Sequence, residues 1–213
     1  MTQTELFWNI LRDFRDDTMV VQIVLIIAMT LVTWRVFLKP GKATDAFVKL
    51  VLSGAFFWNA VACFLFACGK SPMAKFLGGP LYAVIGFLFL IDLFVTGNTH
   101  FSVPRNTGMR LATGFFILLA FLFPVLGAFT GHPLVALPGF PCPLAGFTLA
   151  LLAAAAPRVD RTLYYLTLIW AFVNIPKVFG YVDCYEETTL VVTGFYALGM
   201  LKYRDRQQER EAR

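Results

Sequence analysis

The sequence predicts an all-α integral membrane protein, a helical bundle of about seven transmembrane helices led by a short amphipathic helix. Three observations predict it. Of 213 residues, 58% are apolar and only 15% charged, too little polar material to wrap a water-soluble globule of this size. The mean hydropathy is +0.70, with 16% aromatics. The apolar residues also gather into stretches close to the roughly 20 residues that a helix needs to cross a hydrocarbon core of about 30 Å. This composition excludes a disordered chain, a fibrous repeat, a disulfide-scaffold toxin and a soluble nucleic-acid binder. The net charge of +5 lies mostly in short loops beside apolar segments. There it orients a membrane chain, so the partner expected is the lipid bilayer and no nucleic acid.

Residues 1–17 carry Glu5, Arg12, Asp13, Arg15, Asp16 and Asp17 and have no uncharged core of a cleavable signal. Leu6, Phe7, Ile10, Leu11 and Phe14 recur at helical spacing, which predicts an amphipathic helix, lying along the bilayer with Trp8 at headgroup depth or packed on the bundle. Residues 18–203 form the transmembrane bundle. Its spans are read at Thr18–Leu38, Phe47–Cys68, Phe76–Thr96, Gly108–Phe129, Pro143–Ala156, Thr162–Val182 and Thr188–Tyr203. The fifth is short: bounded by prolines, it reaches roughly 21 Å as a plain helix and either leans on flanking turns or is re-entrant. Residues 204–213 form a charged tail placed in the cytoplasm.

Orientation follows from the cations. With the amino terminus outside and seven crossings, thirteen of the eighteen Lys and Arg lie inside, among them Arg35, Lys39, Arg105, Arg158, Arg161 and Arg213. Arg12, Arg15, Lys70, Lys75 and Lys177 lie outside. The bias favours amino terminus out and carboxy terminus in. Trp34, Tyr164, Tyr165 and Tyr203 at inner ends and Tyr181 and Tyr185 at outer ends fit interfacial belts. Trp58 and Trp170 fall mid-span, as packing residues.

This topology puts Cys68, Cys142 and Cys184 on the outer side together with His132. Cys63 lies five residues from Cys68, and in an α-helix the two point roughly 140° apart. Three readings stand open for the cluster: a disulfide from Cys142 or Cys68 to Cys184, as an oxidising compartment favours; a soft-metal site among Cys68, Cys142, Cys184 and His132; or unpaired thiols. No CxxC, HxxxH or HExxH spacing supports the metal. The loop Thr130–Pro143, with Pro133, Pro138 and Pro141 bending it, reads equally as a rigid cap or as one wall of a pocket.

Polar groups inside spans cost free energy unless paired or wetted, which makes each a candidate. Gln22, Asn59, Asn174 and Lys177 fall in the outer half. Pro176 frees a carbonyl, and Lys177 reaches toward Asp183, Glu186 or Glu187. Asp92, near an inner end, is expected to pair with Arg35, Arg105 or Arg110.

At the outer loop the chain resembles a family of small bacterial multi-pass membrane proteins, domain of unknown function 6064. The resemblance rests on Phe7-Trp8-Asn9, Val21-Gln22-Ile23, Gly131-His132, Pro141-Cys142-Pro143 and Phe147-Thr148, and covers nearly the whole chain. Leu144-Ala145-Gly146 stands where the family carries Thr after Pro-Cys-Pro. The resemblance implies a multi-pass fold in a bacterial membrane and no particular reaction.

No Walker loop, GxGxxG, GxSxG or haem CxxCH occurs, and His100 and His132 are the only histidines, which turns the reading away from the familiar enzyme classes. What remains is a protein of the bacterial inner membrane that binds or transports a small solute or ion through an outward-facing polar pocket. Lys177 and Asn174 would hold an anionic or polar group, Gln22 and Asn59 would add hydrogen bonds, and Cys142 and His132 would line the mouth. The alternatives are thiol redox or soft-metal chemistry at the outer face, and a non-catalytic membrane subunit. No cofactor and no oligomeric state is implied.

Overall fold

The computed structural model describes residues 3–69, 71–104, 106–132, 134–178 and 184–211. Lys70, Arg105, Pro133, Tyr181, Asp183 and Arg213, which enter the sequence reading, lie outside the described residues. Among those described there is no strand. Seven helices follow in order: α1 (Gln3–Leu38), α2 (Lys42–Ala67), α3 (Ala74–Thr96), α4 (Thr107–Phe129), α5 (Pro141–Ala155), α6 (Arg161–Val173) and α7 (Thr188–Glu211).

Helices α1 to α4 are each long and apolar enough to cross a membrane. Helices α5 and α6 have 15 and 13 residues, and α7 turns polar from Lys202 onward. Apolar side chains stand exposed along the outside of the bundle, for example Val20, Val24 and Ile27 on α1, Phe87 and Phe94 on α3, and Leu111 and Phe115 on α4. Such a surface fits a membrane protein, since no water-soluble chain of this size leaves so continuous an apolar face bare.

The amphipathic helix expected at residues 1–17 is not a separate element. Helix α1 runs unbroken for 36 residues, about 54 Å of axis. Nothing between Asp16 and Thr18 breaks it, and the Thr18 hydroxyl donates back to the Phe14 carbonyl. One buried stripe, Trp8, Leu11, Phe14, Gln22, Leu25, Met29, Val32 and Val36, continues from end to end at spacings near 3.6. The amino-terminal third therefore stays on the helix axis and packs on the bundle, one of the two placements open to it.

The doubtful fifth segment is the axis of the molecule. Every residue of α5 is buried, with α4, α6, α7 and the first part of α2 around it. Its sequence, PCPLAGFTLALLAAA, is apolar all round and rich in small residues, as a helix wrapped on every side must be. A helix shielded by protein need not match the hydrocarbon thickness, because its ends meet loops rather than lipid.

Local chemistry sets the remaining ends. Asn106 Oδ1 accepts from the Met109 N–H at 3.2 Å and Asp160 Oδ1 from the Leu163 N–H at 2.9 Å, capping the starts of α4 and α6. The last turns of α2 over Asn59–Ala67, and of α3 over Asp92–Thr96, open to π-helical i→i+5 bonding, as does the first turn of α3 over Ala74–Gly78. Pro80 stands beside that first turn and removes an α-helical donor there.

The helices alternate in direction, so one end of the bundle collects the starts of α1, α3, α5 and α7 with the ends of α2, α4 and α6. At the opposite end Asp92 does not meet Arg35 or Arg110 but Lys49, at 3.2 Å. The start of α2 and the end of α3 are neighbours in an antiparallel pair, which brings Lys49 nearer than any arginine on α1 or α4. Tyr164 is likewise no belt residue: fully buried, it donates to the Ala197 carbonyl at 2.7 Å.

Candidate functional site

At the end where α2 finishes and α5 and α7 begin, the bundle encloses a cavity of about 400 Å³. All four cysteines line it, together with Lys177 and Glu187. Most of the remaining wall is apolar and aromatic, including Phe7, Phe64, Phe123, Phe140 and Trp170. A side chain from α1, Leu11, closes it on one flank, and Met73, at the α2–α3 tip, on another.

The thiols converge because of the wide turn in α2. The Cys68 N–H donates to the Cys63 carbonyl at 2.7 Å, the i→i+5 bond of a π-helix. Five residues then return to nearly the same face, and the two Sγ atoms come to 4.0 Å. This corrects the divergence expected from α-helical spacing. The distortion begins at Asn59, whose side-chain amide donates to the Ala55 carbonyl one turn back at 2.9 Å. All four thiols are free. None of the expected pairings to Cys184 is made.

Glu187 is the polar centre of the cavity. Its Oε1 accepts from the Cys142 thiol at 3.1 Å and lies 3.6 Å from Lys177 Nζ. Its Oε2 is buried with no hydrogen-bond partner among the described residues. The ammonium of Lys177 also stands 5.5 Å from the Trp170 ring and 6.0 Å from the Phe7 ring, distances at which a cation is drawn to an aromatic face. Of the carboxylates that the sequence offered Lys177, Glu187 is met, and Asp183 lies outside the described residues. Burial, with the Glu187 and Glu186 carboxylates adding to it, pushes the Cys184 thiol well above its ordinary value.

The other expected residues serve the walls. Asn59 Nδ2 donates to the Gly139 carbonyl at 2.9 Å. Gln22 presses on the same residue from α1: a Cβ at Gly139 would stand 2.5 Å from Gln22 Oε1. The two amides clamp the loop that leads into α5 and do not face the cavity. Asn174 donates from Nδ2 to the Trp170 carbonyl and accepts the Lys177 N–H at 3.0 Å, fixing the bend that aims Lys177 inward.

His132 lies outside the cavity. Its ring stacks on Trp8 with centroids 3.6 Å apart and 14° between planes. Its Nδ1 is 3.3 Å from Glu186 Oε1, which also accepts from the Thr130 hydroxyl at 2.7 Å. The soft-metal set is thereby divided, with His132 on one side of Trp8 and the thiols on the other. No three His, Cys, Asp or Glu among the described residues converge on a metal position. The proline-rich loop is cap and wall together, since Ala136 and Phe140 line the cavity while Phe140 packs on Phe14 of α1.

Sequence reasoning missed Cys63, Glu187 as the centre, and the part of α1 that closes the cavity. The apolar spacing of Leu6, Phe7, Ile10 and Leu11 was a usable signal for the last. No spacing rule reveals a π-turn.

No curated protein matches the chain, and no solved structure does. A family model described as "Family of unknown function (DUF6064)" matches residues 4–212, so the chain belongs to that family.

Proposed function

We propose that this is a seven-crossing protein of a bacterial inner membrane, amino terminus outside and carboxy terminus inside, that binds a neutral amphipathic small molecule in the thiol-lined cavity. The alternation of seven helices supports an odd number of crossings, and the excess of Lys and Arg at the end opposite the cavity supports the orientation. Twenty-one residues from Thr18 to Leu38 already span about 30 Å. The wall formed by Leu6 and Leu11 therefore lies beyond the charged belt Arg12–Asp17, at headgroup depth, where an amphiphile would enter.

The observation that carries the reading is the buried Glu187 Oε2, an acceptor with no hydrogen-bond partner among the described residues, on a residue that lines a mostly apolar cavity. A buried polar atom left unpaired is costly, and a ligand donor would satisfy it. The opposite charges of Lys177 and Glu187, 3.6 Å apart, support a neutral ligand over an ion. A hydroxyl or phenol donates to Oε2 and accepts from Lys177 while its apolar body fills the aromatic walls. This narrows the polar solute expected from sequence to an amphiphile.

The test is thermal stabilisation of the detergent-purified protein by an alkylphenol. A saturable rise in Tm is expected, weakened in Glu187→Gln and in Lys177→Ala. The same rise in both variants, or none in the wild type, removes the site.

A further inference from the structure

We propose that Cys63 and Cys68 form a redox couple that passes two electrons to a quinone held in the cavity; this rests on the cavity being a ligand site and names the ligand's class. The two Sγ atoms are 4.0 Å apart and both line the cavity. A disulfide bond of about 2.05 Å requires them to close by roughly 2 Å, a movement of side chains on one wide helical turn. Cys142 is engaged by Glu187 at 3.1 Å and Cys184 sits beyond it, so the near pair is the one at the end of α2.

The walls suit a planar ring. Phe64 and Trp170 meet edge to face with centroids 5.3 Å apart, and with Phe7 and Phe140 they give the cavity an aromatic wall on which a ring can pack. A quinone carbonyl accepts from Lys177, and the quinol hydroxyl that replaces it donates to Glu187 Oε2. Lys177 thus suits the oxidised form, which carries only acceptors, and Glu187 Oε2 suits the reduced form, which carries the donor.

The step balances. One S–H bond breaks at each of Cys63 and Cys68, and one S–S bond forms. Two electrons and two protons pass to the quinone, whose two carbonyl oxygens become hydroxyls. The pair is restored when a dithiol reduces the disulfide by exchange.

The full chain in lipid nanodiscs, reduced and freed of reductant, is mixed without oxygen with a short-chain ubiquinone analogue. Quinone absorbance, tryptophan quenching and alkylation followed by mass spectrometry are read together. The expected result is saturable quenching, stoichiometric quinol and a peptide pair linked through Cys63 and Cys68. Cys63→Ser and Cys68→Ser each lose quinol formation while quenching persists, which shows that they are folded. Saturable quenching with all four thiols still alkylated overturns the redox couple and leaves the ligand site standing. A linkage through Cys142 or Cys184 overturns the assignment of the pair. No saturable quenching, together with no stabilisation by alkylphenol, overturns both readings.

Discussion

The two ends of the bundle serve their buried carboxylates differently. At the end opposite the cavity, Asp92 is satisfied on every side: Oδ1 accepts from the Thr96 hydroxyl at 2.9 Å and the Asn98 N–H at 2.6 Å, Oδ2 from the Thr99 N–H at 3.1 Å, with Lys49 at 3.2 Å. Asp45 is served likewise, by the Phe101 N–H at 2.7 Å and by His100 Nδ1 at 2.9 Å. At the cavity end Glu186 and Glu187 are as deeply buried, yet each keeps an oxygen without a partner among the described residues. A closed network makes a structural seal, because every desolvated charge has its compensation. An open one marks where the fold leaves work for something from outside.

Substitutions at the two ends test that contrast most directly. Asp92→Ala leaves the buried Lys49 ammonium without its carboxylate, with the backbone carbonyl of residue 92 still accepting from it, and is expected to lower unfolding stability by about 3–5 kcal/mol, read by denaturant titration in micelles. Glu187→Gln keeps the shape and an acceptor and is expected to cost far less. Equal losses at the two ends would dissolve the distinction between seal and site.

The clamp between α1, α2 and the loop comes next. Gly139→Ala drives a methyl against Gln22 and Leu25 and is expected to cost about 1–3 kcal/mol as overpacking. Since Gly139 precedes Phe140 in the cavity wall, the variant should also weaken alkylphenol stabilisation. A loss of stability with undisturbed binding would separate the loop from the site.

Smaller is Trp8→Leu, which removes the stack on His132 and is expected to cost about 0.5–1.5 kcal/mol beyond lost area. Hydrogen exchange should rise over the first turns of α1 and leave its later half unchanged, because the buried stripe beyond Gln22 is intact.

The smallest effect concerns the exposed pair of Arg161 and Asp205, 2.6 Å apart at the seal end. The Arg161 guanidinium holds the Asp205 carboxyl below its ordinary value near 3.8. A carboxyl lowered in the folded state stabilises above that value, and the contribution disappears as pH falls through the folded one. Because water screens the pair, Asp205→Asn should cost at most about 1 kcal/mol at neutral pH and nothing measurable in strong acid.

The all-helical membrane class and the gathering of cysteines toward one end were readable from the chain, whereas the joining of the amphipathic segment to the first span was not. Apolar runs, charged interruptions and prolines act locally, and a helix answers to them wherever it packs. Lys177 and its partner Glu187 were readable for the same reason, lying ten residues apart. The partner of Asp92, the clamp of Gln22 and Asn59 on Gly139, and the seat of His132 on Trp8 join residues far apart in sequence. No local rule chooses among such partners.

The sequence by itself determined that the chain forms apolar helices with sulfur and carboxylates near one end, because hydrophobic length and loop chemistry are properties of consecutive residues. Only the tertiary structure decided that α5 is the wrapped axis, that α1 runs straight through its charged belt to close a cavity, and that a π-turn sets Cys63 beside Cys68. Those outcomes depend on which faces meet, and on one widened turn that carries no periodic signature.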